Sequence, residues 1–266
     1  FFHEKLLLMI QNVINKYIIE NGKYVFDFEN IVPHQMNDTI SATLYATYNS
    51  IEYASQVREY SVATYCYNML DKYNTNEYAK LQTLLVDLLN YGAASQEYMD
   101  YKTDALVNEK LTEAQKAMGT STERTLETVQ DLEYKTIDNP TVQWKGGGLN
   151  LQKSVGMRFK ISADNIENLT VKVTNDIGEE TIITSDTFEA TDGGYYVFFD
   201  GLNAGQMSDE VYLTVYDGET AVSNTIRYSI ESYAYAKQNS SDRNLAELVK
   251  AMMKYGDAAK AYSTTE

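Results

Sequence analysis

The feature that most constrains this chain is that it repeats itself. Asn21-Gly22-Lys23-Tyr24-Val25-Phe26 lines up with Asp192-Gly193-Gly194-Tyr195-Tyr196-Val197, and Gln35-Met36-Asn37-Asp38 follows at the same offset as Gln206-Met207-Ser208-Asp209. Tyr45 then falls on Tyr216. After short gaps, Tyr60-Ser61-Val62-Ala63-Thr64-Tyr65-Cys66-Tyr67 matches Tyr228-Ser229-Ile230-Glu231-Ser232-Tyr233-Ala234-Tyr235. Leu81, Leu84, Leu85, Leu88, Tyr91 and Gly92 match Leu245, Leu248, Val249, Met252, Tyr255 and Gly256. The order never changes, and the gaps fall where loops belong. A repeated supersecondary plan constrains the whole fold, because each half must satisfy the same packing.

Within each copy the hydrophobic period switches. Met157, Phe159 and Ile161 alternate with polar residues, as do the apolar positions of Leu169–Val173 and Val211–Val215, which is the pattern of half-buried strands. Asp192-Gly193-Gly194, Asp200-Gly201 and Asp217-Gly218 mark tight turns between them. Leu245, Leu248, Val249, Met252, Met253 and Gly256 then recur at helical spacing. The predicted class is α+β: two tandem copies of an antiparallel Ig-like β-sandwich, each followed by a packed α-helical hairpin. Residues 1–101 form the first module, 102–140 a linker with a short helix at Thr112–Lys116, and 141–266 the second module. The first copy is read as lacking the initial strands of the second; residues 5–19 read as strands by alignment, the reading adopted, or as a helix by the spacing Leu6, Ile10, Val13, Ile14 and Tyr17. A truncated sheet of that kind invites completion by a strand from another chain. Gly92 and Gly256 sit on the apolar helix stripe, which implies close approach of a sheet or a partner helix.

Charge narrows the partners. The net charge is -16 with a pI near 4.5, and no basic run offsets it. Phosphate backbones and anionic membranes are repelled, so neither nucleic acid nor membrane surface is an expected partner. No run of about 18 apolar residues occurs, so no membrane-spanning segment is expected. The chain has one cysteine, Cys66, and two histidines, His3 and His34. Cysteine-based zinc sites and a disulfide framework are excluded. Cys66 aligns with Ala234 and reads as a small buried position. The two histidines have no ligand spacing and read as surface residues. The acidic turns Asp176–Glu180 and Asp217–Glu219 lack the alternating ligands of a calcium loop and read as hairpin turns. Gly146-Gly147-Gly148 lacks a following Lys-Ser/Thr and reads as a turn or the start of a strand. No cofactor, metal or catalytic set is expected, and the chain is read as a non-enzyme.

Four stretches carry a resemblance: Tyr195-Tyr196-Val197-Phe198, Met207-Ser208-Asp209-Glu210-Val211, Tyr228-Ser229-Ile230-Glu231-Ser232-Tyr233-Ala234, and Leu248-Val249-Lys250-Ala251-Met252-Met253-Lys254-Tyr255-Gly256. Together they resemble a repeated module of large surface or secreted proteins from gut Clostridia. The resemblance implies an extracellular or cell-wall-attached location in a Gram-positive bacterium. It implies a structural or adhesive spacer and supplies no catalytic residues.

Aromatic residues suggest the alternative. The chain holds 23 tyrosines and a single tryptophan. Exposed Tyr and Trp stack on sugar rings, so a carbohydrate-binding module would use Trp144, Tyr212, Tyr216 and Tyr45. Tyr212 and Tyr216 alternate with core residues and are expected to face outward. Tyr65, Tyr91 and Tyr98, with Tyr233, Tyr255 and Tyr262, are read as helix-to-sheet packing. A polysaccharide or a host or cell-surface protein is the expected partner; the oligomeric state is not legible.

Overall fold

A computed structural model describes residues 6–7, 17–21, 23–26, 31–151 and 156–264. It is α+β, with antiparallel sheets and, among the described residues, five α-helices.

The first copy runs β1 (Leu6–Leu7), β2 (Tyr17–Glu20), β3 (Lys23–Phe26), β4 (Ile40–Ala42), β5 (Tyr45–Tyr48), β6 (Ile51–Ala54) and β7 (Arg58–Tyr60), then α1 (Val62–Lys72) and α2 (Ala79–Met99). Among the described residues its strands pair in three small groups: β1-β5-β6, β2-β3 and β4-β7. The strand reading of residues 5–19 holds at β1 and at Tyr17–Ile19; the remainder of that stretch lies outside the described residues.

The segment 102–140 is not an open tether. It carries α3 (Glu113–Lys116), opened by a capping box between Thr112 and Gln115. Val107, Leu111 and Leu126 are buried in the shared core. Its last strand, β8 (Glu133–Lys135), joins a sheet of the second copy.

The second copy runs β9 (Gln143–Asn150), β10 (Gly156–Ser162), β11 (Leu169–Asn175), β12 (Glu180–Thr184), β13 (Glu189–Thr191), β14 (Gly194–Phe199), β15 (Val211–Asp217), β16 (Thr220–Ala221) and β17 (Thr225–Tyr228), then α4 (Ile230–Lys237) and α5 (Arg243–Ser263). One sheet has the order β13-β14-β10-β9. The other is β12-β11-β15-β17-β8, with β16 paired to β15. The expected alternation is observed: Met157, Phe159 and Ile161 share one buried cluster with Val171, Val173, Leu213 and Val215 of the other sheet. Removing each such side chain from water contributes about 1.5–3 kcal/mol. The Phe159 ring meets Tyr228 edge-on across the sheets at 5.5 Å. The glycine triplet Gly146–Gly148 is not a turn or a strand start, as expected, but the interior of β9. A Cβ on Gly147 would press on Phe159 at 3.1 Å and on Tyr228 at 3.5 Å, so the bare backbone makes room for both rings.

The helical halves repeat in detail. Ser61 and Ser229 cap α1 and α4, each accepting a bond from the backbone N–H three residues on. Such a cap contributes about 1 kcal/mol. The Met36 carbonyl accepts the N–H of Ala63, and the Met207 carbonyl accepts that of Glu231, both at 2.9 Å. Helices α2 and α5 have 21 residues each. Their glycines face neither a sheet nor the partner helix, as expected, but the 3-10 turns Pro33–Gln35 and Ala204–Gln206 with the methionine that follows each. A Cβ on Gly92 would lie 2.9 Å from the Met36 sulfur and 3.3 Å from the Pro33 carbonyl. On Gly256 it would lie 2.9 Å from the Met207 sulfur and 3.1 Å from the Ala204 carbonyl. A helix can rest on a carbonyl-bearing turn at that range only where it has no side chain.

Candidate functional site

The two copies meet along α2 and α5, and this seam is the most elaborated place in the molecule. The rings of Tyr91 and Tyr255 stack across it, centroids 5.7 Å apart and planes 11° from parallel. Both phenols are pushed upward by burial. The expectation of helix-to-sheet packing for this pair is thus corrected to helix-to-helix packing. Tyr65 and Tyr262 depart from it differently, lying exposed on their helices. The Asn244 side-chain amide donates to the Glu97 carbonyl at 3.0 Å and ties the start of α5 to the end of α2.

Residues 118–127 fasten the seam from the side. Asp87 on α2 is buried, and its two carboxylate oxygens accept bonds from the Thr120 N–H and hydroxyl. Burial pushes its carboxyl above the ordinary range, against the pull of those bonds and of Lys254. Arg124 places one guanidinium nitrogen 3.0 Å from buried Glu231 and another 2.9 Å from Asp257 on α5. Burial also raises the Asp257 carboxyl, and Arg124 opposes that rise. Lys254 pairs with Glu123 at 2.9 Å. A cleft of about 150 Å³ beside these groups is lined by Asp87, Thr120, Glu123, Glu247, Lys250 and Lys254. The carboxylates named here are each held by an amide, a hydroxyl or a cation, an arrangement suited to locking helices together.

The aromatic candidates separate into three places. Trp144 lies on β9; its indole N–H donates to the Asn224 carbonyl at 2.8 Å, and its ring meets Phe159 edge-on. It packs against the core, half-buried. Tyr45 lies on β5 in the first copy, half-buried and opposite Ala54. Tyr212 and Tyr216 share the face of β15 opposite to the buried Val211, Leu213 and Val215. Both are half-buried. The Lys172 ammonium lies 5.7 Å from the Tyr216 ring centre. Tyr212 donates its hydroxyl to Glu210, and its phenol is pushed to about 12, by burial first and by Glu210 second.

Sequence reasoning missed Tyr134 and Arg227, which complete that patch. Tyr134, exposed on β8, meets Tyr212 at 4.8 Å between ring centres, and the Arg227 guanidinium lies 5.8 Å from the Tyr134 ring. The alternation Leu132-Glu133-Tyr134-Lys135 was the available signal for a strand inside the linker. Arg124 carries no such signal, since its partners lie on distant helices.

The remaining candidates are quickly placed. Cys66 is fully buried and burial raises its thiol to about 12, so it is unreactive. His34, read as a surface residue, is half-buried: its ring packs edge-on against Tyr101 at 5.0 Å, and burial lowers its basicity. Elements that the sequence placed far apart converge there. His3 lies outside the described residues. The turn at Asp176 is held by an Asp176 carboxylate accepting the Glu210 N–H. Among the described residues no cluster of His, Cys, Asp or Glu is arranged to hold a metal, and no helix is long and apolar enough to cross a membrane. No protein-family model, curated protein or solved structure matches this chain.

Proposed function

We propose that the chain is a non-catalytic module of a bacterial cell-surface or secreted protein, a stiff spacer that sets the distance and angle between the segments it joins. In this reading both copies derive from an Ig-like sandwich with a helical hairpin. The observation that carries it is the Tyr91–Tyr255 stack, flanked by the Arg124 bridge: two repeats fused through equivalent residues leave little freedom between them. A rigid joint is what a spacer needs, whereas repeats linked only by a flexible segment move independently. Small-angle X-ray scattering of the chain tests the stiffness; a broad distribution of dimensions would remove the spacer reading. Protease shaving of intact cells carrying the parent protein tests the location, and a protected parent would remove it.

The patch of Tyr134, Tyr212 and Tyr216 with Lys172 favours a second reading, a carbohydrate-binding module. Aromatic faces beside cations and hydroxyls offer a sugar chain both apolar area and hydrogen bonds. Retention on a panel of polysaccharides, lost in Tyr212→Ala and Tyr134→Ala, would establish it; retention unchanged in both variants would discard this patch.

A further inference from the structure

The outer face of the sheet β13-β14-β10-β9 carries a row of cations that lack carboxylate partners. Phe159, Ile161 and Val197 point into the core, so Arg158 and Lys160 on β10 point away from it, beside Phe198 and Tyr196 of β14 in the antiparallel register. The Arg158 guanidinium lies 4.7 Å from the centre of the Tyr196 ring, and the Phe198 ring lies 6.3 Å from that of Tyr196. Lys160 donates its ammonium to the Asp192 backbone carbonyl. Lys145 on β9 donates to the side chain of Gln143, which the register sets against Ser162 at the end of the same row. Among the described residues none of these three cations forms an ion pair, whereas Lys172 and Arg227 of the tyrosine patch on the other sheet are held by Glu180 and Glu210.

The β9 side of the row is bare. Gly148 and Gly146 stand opposite Arg158 and Lys160, and a Cβ on Gly146 would meet nothing within 4 Å. The Tyr233 ring of α4 bounds the strip at Gly148, 3.9 Å from where a Cβ there would stand. Burial and Tyr98 raise the Tyr233 phenol, and Arg158 opposes that rise from close by. On the far side of the row Glu189 of β13 stands beside Tyr196, so a negative ligand is favoured over the glycines and disfavoured over β13.

We infer that this strip binds an acidic polysaccharide, a sugar chain with carboxylates at regular intervals. Arg158 and Lys160 are two residues apart on one strand, about 7 Å, so the strip matches successive charges along a chain better than a single anion. A guanidinium fork takes a carboxylate in two parallel bonds, and the rings of Tyr196 and Tyr233 offer flat faces to the sugars. A protein partner would seat anchoring side chains in a buried pocket, which a flat glycine strip does not offer. Duplex nucleic acid carries a charge every ~1.7 Å and is repelled by the net charge of -16, whereas a uronate chain spreads its charge one to a ring. The site lies on a different sheet from the patch of Tyr134, Tyr212 and Tyr216 and stands without it.

The probe is polygalacturonate, and its methyl-esterified form is the neutral counterpart with the same backbone. Retardation of the full chain in native gels cast with and without polymer measures binding. Retardation by polygalacturonate is expected. It should weaken by about tenfold or more in Arg158→Met/Lys160→Met, the scale set by losing charge-assisted hydrogen bonds, and by a similar factor with the esterified polymer. Neither side chain has an ion pair to lose among the described residues, so the melting temperature of the variant should match the wild type. Should methionine disturb the sheet, Arg158→Gln/Lys160→Gln must still weaken binding. Tyr134→Ala/Tyr212→Ala should leave it unchanged, which separates this site from the tyrosine patch. No retardation by polygalacturonate, equal retardation by the esterified form, or retardation untouched by the Arg158/Lys160 variants would each overturn the proposal. So would loss of binding in Tyr134→Ala/Tyr212→Ala, or retardation by dextran sulfate or duplex DNA where polygalacturonate gives none, since another surface or another polyanion would then be responsible.

Discussion

Tyr91 and Tyr255 occupy the same position in the two copies and lie against each other, ring centres 5.7 Å apart. A contact between equivalent residues means that the helices α2 and α5 present the same face to one another. One substitution inherited by both copies would therefore alter both sides of the joint at once.

Loss of one ring should weaken the joint strongly. Tyr255→Ala removes a partly buried aromatic together with its stack on buried Tyr91, and is expected to destabilise by about 3 kcal/mol. Urea unfolding with tyrosine fluorescence measures it. A loss well under about 1 kcal/mol would mean that the seam is not a principal stabilising contact.

Gly92→Ala and Gly256→Ala should each destabilise, although alanine is the better helix former by about 1 kcal/mol. The added methyl would meet a methionine sulfur at 2.9 Å and a turn carbonyl at 3.1–3.3 Å, and overpacking of this kind costs about 1–3 kcal/mol. Pairing Gly256→Ala with Met207→Ala should recover part of the loss, a non-additivity readable in a double-mutant cycle.

Arg124→Met should cost about 2–4 kcal/mol, because among the described residues it leaves the buried Glu231 side chain the Glu127 N–H for a partner. Glu231→Gln in the same background should relieve most of that cost. Thermal unfolding of the single and double variants tests the pair.

Acid should loosen the contact of Asp38 with Tyr101 and Lys102. Burial alone would raise the Asp38 carboxyl, but bonds from the Lys102 ammonium at 2.7 Å and the Tyr101 hydroxyl at 2.6 Å outweigh it and hold the group below its ordinary 3.8. A lowered carboxyl stabilises the fold fully above that ordinary value, and the contribution disappears as pH falls through the depressed one. Tyr101→Phe/Lys102→Met should thus differ from wild type most near neutral pH, and the two should converge in acid. Unfolding midpoints across pH 2–7 would show it; a gap that widens in acid would contradict the assignment.

Much of this was legible in the chain. The repeat, the alternation of β10, β11 and β15, the helical stripe of α5 and the short helix at Thr112–Lys116 follow from period and local propensity, which act over a few residues. The joint was not legible. Tyr91 and Tyr255 read as packing residues of separate modules, because nothing local tells a helix which neighbour its stripe will meet. The glycines announced a close approach, but the approaching group was a 3-10 turn rather than a sheet or helix, since a short turn leaves no periodic mark. Tyr134 escaped notice because the alternation around it spans only a three-residue strand and is easily lost inside a polar segment. Of the four aromatic candidates, only Tyr212 and Tyr216 came to share a surface.

The sequence by itself determined that this protein has two related halves, each strands then helices, with an acidic surface. Local periodicity and turn chemistry settle such things without distant contacts. Tertiary structure alone decided that the halves fuse through α2 and α5, that residues 118–127 bolt the seam, and that Gly92 and Gly256 rest on 3-10 turns. Those outcomes depend on which surfaces find each other in space, which no local stretch of sequence records.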